Sequence, residues 1–147
     1  MPPIISQTFN PRLKLFMFSM YSFSENMIWL ILEFFPQLLR KLIFRMLFAD
    51  FGAESMIDYR TYFRYPWKIS IGSGVWINRG CEFYPSMLAG DAKIEIGNHC
   101  ALGPRVRVLS ATHSYRKLDL PDEAASVYIG NHVWIGAGAT ILPGVRI

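Results

Sequence analysis

The sequence predicts a mainly β fold, a parallel β-helix of six-residue repeats that is preceded by short N-terminal α-helices. Two periodic features of the second half of the chain predict it. Aliphatic or aromatic residues recur every six positions, and the residue four places after each of them is again small or apolar. The recurring residues, which we call the anchors, are Ile71, Ile77, Phe83, Ile96, Leu102, Val108, Ile129, Ile135, Ile141 and Ile147.

A six-residue period fits neither the 3.6-residue period of an α-helix nor the two-residue period of a strand. It fits a triangular solenoid, in which each side is a short strand and three sides make a coil of about eighteen residues. The anchors are expected to point into the prism. Glycines that follow them, such as Gly72 and Gly97, are expected to supply unusual backbone angles. The small residues expected at the corners are Val75, Cys81, Met87, Cys100, Val106, Thr112, Val133, Ala139 and Val145.

An ordinary alternating strand is the simpler alternative to a solenoid. It would account for Val127–Ile129 alone, but not for ten anchors in one register. The solenoid is therefore the better prediction.

Two interruptions of the period mark places where the chain leaves the prism. The gap from Phe83 to Ile96 is one residue longer than two repeats, around residues 88–91 (LAGD). The gap from Val108 to Ile129 is three residues longer than three repeats, around residues 114–126. The second insertion is charged and contains proline, so we expect a loop there. Loops held on a rigid frame commonly carry binding residues.

The composition changes near residues 51–58, from Phe, Leu, Met and Ile to glycine and β-branched residues. We therefore expect a helical segment at residues 1–57 and a β-helix domain at residues 58–147. Residues 22–25 (SFSE) resemble a capping box for a helix over residues 27–35, which Pro36 ends or kinks. A second helix is expected over residues 37–48. Its apolar face would contain Leu38, Leu39, Leu42, Ile43, Met46 and Leu47, with Arg40, Lys41 and Arg45 on the other side.

The helical segment has two interpretations. A basic amphipathic helix beside an aromatic-rich one is typical of peripheral contact with a membrane. The same helices could instead cover the open first coil of the solenoid, which would otherwise expose strand edges. Glu25 and Glu33 interrupt the apolar residues, so a helix that crosses the membrane is not expected.

Charge and cysteine content limit the classes of binding partner and the cellular compartment that we expect for this protein. The net charge is +4, but the basic residues are scattered and no nucleic-acid motif is present, so nucleic acid is not an expected partner. The start of the chain does not resemble a signal peptide, which favours the cytoplasm, with the inner face of the plasma membrane as the alternative. Cys81 and Cys100 fall at corner positions, where we expect packed thiols rather than a disulfide or a metal site.

Four segments together resemble the hexapeptide-repeat acetyltransferases, most similar to the maltose, galactoside and surface-polysaccharide O-acetyltransferases. They are residues 96–104 (IGNHCALGP), 111–113 (ATH), 129–137 (IGNHVWIGA) and 141–145 (ILPGV). The resemblance covers residues 69–147, about half of the chain. It implies a left-handed parallel β-helix, acetyl-CoA as the acyl donor, a saccharide acceptor and a homotrimer with active sites between neighbouring prisms.

The resemblance also assigns roles to individual residues. His113, just before the charged insertion, would be the general base, and an imidazole is suited to this because it titrates near neutral pH. Trp134, Gly136 and the backbone N–H of Ala137 would bind acetyl-CoA, the N–H by holding the developing oxyanion.

Each of these roles has a simpler structural alternative. His113 could be a solvated turn residue and Trp134 a packed surface residue. Tyr84 and Asp91 match the acceptor side of the family only loosely, and Pro85 stands where the family often has asparagine. His99 and His132 are expected at outward or corner positions with structural roles.

A zinc enzyme on the same fold is a second alternative. Related carbonic anhydrases need three histidines, two of them close together, and a zinc site normally takes three or four protein ligands. This chain has only three histidines, His99, His113 and His132, separated by 14 and 19 positions. No metal is therefore expected.

We thus expect an acetyl-CoA-dependent O-acetyltransferase that acts on a saccharide hydroxyl, in surface-polysaccharide biosynthesis. The sequence stops at Ile147 in mid-repeat, whereas the family has further coils, so we expect a C-terminal truncation. The main alternative is an inactive β-helix that serves as an assembly module. Dependence on coenzyme A would distinguish the two.

Overall fold

A computed structural model describes residues 10–87, 91–114 and 116–147. It contains two helices, α1 (Pro11–Leu32) and α2 (Gln37–Leu47), followed by short strands. By contacts within the chain it divides into two compact units, Met1–Phe35 and Pro36–Ile147, and α1 belongs to the first of them. All the strands lie in the second unit together with α2.

Three parallel sheets of four strands each form the second unit, and successive strands along the chain belong to successive sheets. Sheet 1 contains β1 (Asp50–Phe51), β4 (Ile69–Ile71), β7 (Ile94–Ile96) and β12 (Val127–Ile129). Sheet 2 contains β2 (Met56–Ile57), β5 (Trp76–Ile77), β8 (Ala101–Leu102) and β13 (Trp134–Ile135). Sheet 3 contains β3 (Tyr62–Phe63), β6 (Glu82–Tyr84), β9 (Arg107–Leu109) and β14 (Thr140–Ile141). The left-handed parallel β-helix is confirmed, with four coils in the described residues.

The anchors stack in register from coil to coil and form the core. In sheet 1, Ile71 pairs with Phe51 on one side and Ile96 on the other, and Ile96 pairs with Ile129. The first eight anchors are buried, whereas Ile141 is half-buried and Ile147 is exposed. Phe63 and Phe83 stack with ring centroids 4.6 Å apart. The six-residue period therefore identifies the core because every third anchor returns to the same sheet.

The first coil begins earlier than residue 58, where we expected the domain boundary. Its anchors are Phe51, Ile57 and Phe63, which also follow the six-residue period. A short 3₁₀ turn at Pro66–Lys68 then puts two additional residues between Phe63 and Ile71, so this coil is out of register with the rest of the sequence pattern. The aromatic anchors made the coil resemble the helical segment in composition.

Two expected corner residues lie outside the prism. Met87 and Thr112 are both exposed. Buried serines occupy this corner instead, and the amide of Ser86 donates to the hydroxyl of Ser110 at 3.1 Å. The chain leaves the prism directly after these serines, so the period does not extend to the next residue. Of the first break, residues 88–90 lie outside the described residues.

The glycines that follow the anchors are needed for close packing and not for unusual backbone angles. A Cβ on Gly72 would lie 2.6 Å from the carbonyl oxygen of Gly97, and one on Gly97 would lie 2.6 Å from that of Gly130. The left-handed backbone angles occur instead at corner residues, which include Gly74, Gly80, His99, Arg105, His132, Gly138 and Gly144.

Helix α1 begins at Pro11, not after the expected capping box at residues 22–25. The side chain of Asn10 accepts a hydrogen bond from the amide of Arg12 at 2.9 Å, and Pro11 occupies the first helical position. Asparagine followed by proline is a stronger start signal than the capping box because both residues favour these positions. By length and composition, α1 is the one helix in the described part of the chain that could cross a membrane.

Helix α2 covers the first coil with the face that we expected to be polar. Phe44 and Phe48 are buried, and the Phe48 ring lies 4.8 Å from that of Phe63. Arg40 is buried beside them and donates to the carbonyl oxygen of Ile57 at 3.2 Å. Its guanidinium also lies over the ring of Tyr59, at 4.4 Å from the centroid. An aromatic and cationic face therefore caps the solenoid, and the leucine face of α2 is exposed.

Candidate active site

The charged insertion forms an antiparallel hairpin that projects from the prism. Strand β10 (Ala111–His113) pairs with β11 (Asp122–Ala124), and His113 lies opposite Asp122. The loop closes through a hydrogen bond from the amide of Ser114 to the carbonyl oxygen of Pro121, at 2.9 Å. We expected a loop here but not a strand, because the residues of β11 are poor strand formers.

One ring nitrogen of the His113 imidazole, Nδ1, lies within hydrogen-bonding distance of two acceptors, and the other, Nε2, is available to accept a proton. Nδ1 lies 3.1 Å from the carbonyl oxygen of Leu120 and 3.1 Å from Oδ1 of Asp122. Both partners accept hydrogen bonds, so Nδ1 carries the proton and Nε2 of the neutral ring has the lone pair. No hydrogen bond to Nε2 involves a described residue. This arrangement suits a base that accepts a proton at Nε2.

Asp122 is a site residue that the sequence analysis did not identify as such. The sequence showed only that the insertion is charged, and did not distinguish Asp122 from its other charged residues. The relevant signal was the register of the hairpin, which could have been found by pairing residues 111–113 with the polar residues after Pro121. A carboxylate at this distance also stabilises the imidazolium that forms when the base accepts a proton.

The three residues expected to bind acetyl-CoA lie close together in the sequence, after the corner residue His132. Trp134 is exposed on the outer side of sheet 2, where it pairs with Ala101. Gly136 has open space around it, since a Cβ there would meet nothing within 4 Å. The amide N–H of Ala137 donates no hydrogen bond to any described residue. This surface thus offers an exposed aromatic ring, room for a ligand and an available backbone donor.

His113 and Trp134 lie on opposite sides of the same prism. The hairpin leaves between β9 in sheet 3 and β12 in sheet 1, at the corner that these two sheets share. Trp134 lies on sheet 2, the side opposite that corner. The structure therefore does not bring the expected base and the expected acetyl-CoA residues together within one chain.

Tyr84 and Asp91 are not joined to His113 by any contact among the described residues. The hydroxyl of Tyr84 donates to Oε2 of Glu82 at 3.2 Å, and burial, followed by the nearby Glu82 charge, raises the pKa of this phenol. The backbone of Tyr84 does reach the base of the hairpin, because its carbonyl oxygen accepts from the amide of Ser110 at 3.0 Å. Asp91 is exposed beside residues 88–90.

The cysteines and the other two histidines have structural positions. Cys81 and Cys100 are buried free thiols, and Sγ of Cys81 donates to the carbonyl oxygen of Gly103 at 3.2 Å. The rings of His99 and His132 stack at one corner with centroids 5.1 Å apart. Within residues 10–87, 91–114 and 116–147, no group of three metal-ligating side chains is present.

Sequence comparison with curated proteins identifies acetyltransferase relatives. A search of family models gave no match. The galactoside O-acetyltransferase of Lactococcus lactis is 34% identical over 110 residues, which are 71% of this chain and 50% of the relative. Nodulation protein L of Rhizobium meliloti is 35% identical over 104 residues, or 66% of this chain and 52% of the relative. The chain thus spans about half the length of these relatives.

Two solved acetyltransferase structures have the same fold as this chain. A hexapeptide-repeat-containing acetyltransferase from Vibrio cholerae, in complex with acetyl coenzyme A, is 25% identical with a TM-score of 0.72. The match covers 83% of this chain and 66% of that one. A maltose O-acetyltransferase from Clostridium difficile is also 25% identical, with a TM-score of 0.67 and coverage of 84% and 66%. In its stacked repeats and its hairpin histidine, and by these comparisons, the chain is similar to the hexapeptide-repeat acetyltransferases.

Proposed function

We propose that this chain is an acetyl-CoA-dependent O-acetyltransferase that transfers the acetyl group to a saccharide hydroxyl, with His113 as the general base. The observation that carries the proposal is the geometry at Nδ1 of His113. Two acceptors, on Leu120 and Asp122, require the proton at Nδ1, so Nε2 can accept a proton from a substrate.

The reaction needs one group that accepts a proton and one hydrogen-bond donor that stabilises the developing oxyanion. Nε2 of His113 takes the proton of the acceptor hydroxyl while the oxygen attacks the carbonyl carbon of the acetyl thioester. The negative charge that develops on the carbonyl oxygen is held by the N–H of Ala137. When the carbon–sulfur bond breaks, the coenzyme A sulfur leaves with the proton that the imidazolium returns. The products are the acetyl ester and the free thiol, and His113 is neutral again.

The surface around Gly136 supports the assignment of the donor site. Acetyl-CoA supplies the activated acyl group when it binds. The open space at Gly136 would admit its pantetheine arm beside the exposed Trp134 ring, and the available N–H of Ala137 is close in sequence to both. Aromatic rings bury large areas of an apolar ligand.

We further propose that the active unit is a homotrimer. Because His113 and Trp134 lie on opposite sides of one prism, a complete site requires sheet 2 of a second copy beside the hairpin of the first. Cyclic symmetry repeats such a contact until the ring closes. In a three-membered ring, each hairpin then meets the Trp134 surface of a neighbour.

The acceptor is proposed to be a saccharide hydroxyl, in the biosynthesis of surface polysaccharide. The name of the galactoside O-acetyltransferase relative supports a sugar acceptor. An exposed hairpin at a corner of the prism is open enough for a bulky glycan. Asp91 and Tyr84 remain proposed acceptor contacts, and the test below compares acceptors directly.

The first experiment measures release of the coenzyme A thiol from acetyl-CoA with a panel of saccharides. The thiols of Cys81 and Cys100 are buried, so they add little to the signal of a thiol reagent. We expect His113→Asn to lower turnover about 10²–10⁴-fold, the usual contribution of a general base. The matched control, His132→Asn, changes an exposed corner histidine and should keep wild-type turnover, since asparagine tolerates its left-handed backbone.

A second experiment tests whether sites are shared between copies. His113→Asn and Trp134→Ala chains are unfolded, mixed and refolded together. Sites that combine the intact His113 of one chain with the intact Trp134 of the other should regain activity, although each variant alone is impaired. Absence of this complementation would contradict the shared site. In the first experiment, thiol release by the wild-type chain that is absent or does not depend on the acceptor would favour an assembly role.

A further inference from the structure

The outer face of α2 has exposed leucine and methionine side chains. Leu38, Leu42 and Met46 follow one another at intervals of four residues and are exposed, as is Leu39. We call these four residues the α2 apolar surface. The opposite face of the helix, with Phe44 and Arg40, is buried against the first coil. The α2 apolar surface is therefore not part of the core of the solenoid.

Basic residues border this surface on one side. Each helical residue advances by about 100°, so Arg45 projects about 20° from Leu38 and Lys41 about 60° from it. Arg45 is exposed and Lys41 is half-exposed. The sequence of α2 contains no acidic residue. An apolar surface with a cationic border is complementary to the boundary between anionic headgroups and acyl chains of a lipid bilayer.

Helix α1 has an even larger apolar surface. Of its 22 residues only Glu25, Trp29 and Leu32 are buried. Arg12 and Lys14 stand in its first turns, so this helix too combines cations with apolar side chains. The exposed large apolar residues of α1 are Leu13, Leu15, Phe16, Met17, Phe18, Met20, Phe23, Met27, Ile28, Leu30 and Ile31.

The position of Glu25 favours a helix that lies in the membrane plane. The least charged part of α1 extends from Leu15 to Leu32, and at 1.5 Å per residue Glu25 is about 15 Å from one end and about 10 Å from the other. In a spanning orientation its carboxyl group would lie near the centre of the hydrocarbon layer, where an acidic side chain is costly. In the plane of the interface, this buried carboxyl group, which accepts a hydrogen bond from the hydroxyl of Tyr21, stays away from the hydrocarbon centre.

We propose that the α2 apolar surface docks this protein on an anionic lipid bilayer, and that α1, taken by itself, also binds such a bilayer in the plane of the interface. The proposal goes beyond acetyl transfer and does not depend on it. A second copy is the less suitable occupant, since pairing two α2 apolar surfaces would bring Lys41 and Arg45 close to the same cations of the other copy.

The test is flotation of the purified 147-residue chain with lipid vesicles, without acetyl-CoA or acceptor. We expect the chain to bind vesicles that contain the anionic lipid phosphatidylglycerol and to bind vesicles of pure phosphatidylcholine much more weakly. Leu42→Ser should weaken binding about tenfold or more, the effect of removing one buried leucine. Leu142→Ser is the matched control, because Leu42 and Leu142 are each 58% exposed, and it should bind like wild type. Arg45→Gln should weaken binding about fivefold and only to the anionic vesicles.

Three results would overturn the proposal. Equal binding of the Leu42→Ser and Leu142→Ser chains would show that the α2 apolar surface is not the contact. Self-association without lipid that Leu42→Ser abolishes would assign the surface to a second copy. Resistance of the wild-type chain to alkaline extraction from the vesicles would show that α1 spans the bilayer and does not lie in its plane. Each result is independent of acetyl transfer, which is measured separately.

Discussion

Replacing Asp122 by asparagine removes a charge beside the proposed base and leaves its shape nearly unchanged. The carbonyl oxygen of Leu120 still accepts the proton of Nδ1, so the ring of His113 should keep its orientation and tautomer. What changes is the electrostatic stabilisation of the imidazolium, which forms as the acceptor hydroxyl loses its proton. We therefore expect a lower kcat with little change in KM for acetyl-CoA.

The size of this effect follows from the distance and the exposure of the pair. Nδ1 and Oδ1 are 3.1 Å apart, and the two side chains are 65% and 44% exposed. With an effective dielectric constant of about 50–80 for such open groups, the interaction is worth about 1–2 kcal/mol. If this interaction energy is lost only in the transition state, kcat should decrease about 5- to 30-fold.

The assay is thiol release at saturating acetyl-CoA, with Asp119→Asn as the matched control. Asp119 lies in the same loop but makes no contact with His113 among the described residues, so its substitution should leave kcat unchanged. Wild-type turnover of Asp122→Asn would refute the electrostatic role. A loss as large as that of His113→Asn would refute it as well, because a positioning residue cannot account for the whole effect of the base.

The remaining predictions concern stability. Arg40→Ala should lower the free energy of unfolding in urea by about 2–4 kcal/mol through a cavity and lost hydrogen bonds, whereas the exposed Arg45→Ala should change it by under about 0.5 kcal/mol. Gly97→Ala should cost about 1–3 kcal/mol because its Cβ meets the backbone of the next coil, while Gly136→Ala should melt like wild type. Burial raises the pKa of the Cys81 thiol, so stability should persist below the ordinary thiol pKa and decline as pH rises above it, and alkylation should require unfolding.

The solenoid could be predicted because its determinants repeat. Within each coil the anchors follow one another at intervals of six residues, and Ile71, Ile96 and Ile129 stack in one column because the pattern resumes after each interruption. The start of α1 was missed although its signal is local, since Asn10 precedes the helix directly and Pro11 is its first residue. The inward face of α2 could not be found from the sequence, because burial of Arg40 depends on the carbonyl of Ile57 in a later strand.

The sequence predicted individual residues of the candidate site but not the contacts between them. The roles of His113, Trp134 and Ala137 were all predicted from the resemblance, and they stay predictions. The contact of His113 with Asp122 depends on the hairpin register, and the separation of His113 from Trp134 depends on which sheet each strand joins. Both are properties of topology, so the resemblance could name the residues but not their arrangement.

The self-contained pairing of the hairpin has a consequence for the evolution of this protein. Its two strands pair with each other, and its base closes through the amide of Ala125 and the carbonyl of Ser110 at 3.0 Å. The residues of the loop from 116 to 119 can therefore change while the anchors of the prism and the carbonyl group of Leu120 beside His113 stay the same. Substitutions in this short segment could change the acceptor. Homologues with different substrates would then share the same stable β-helix.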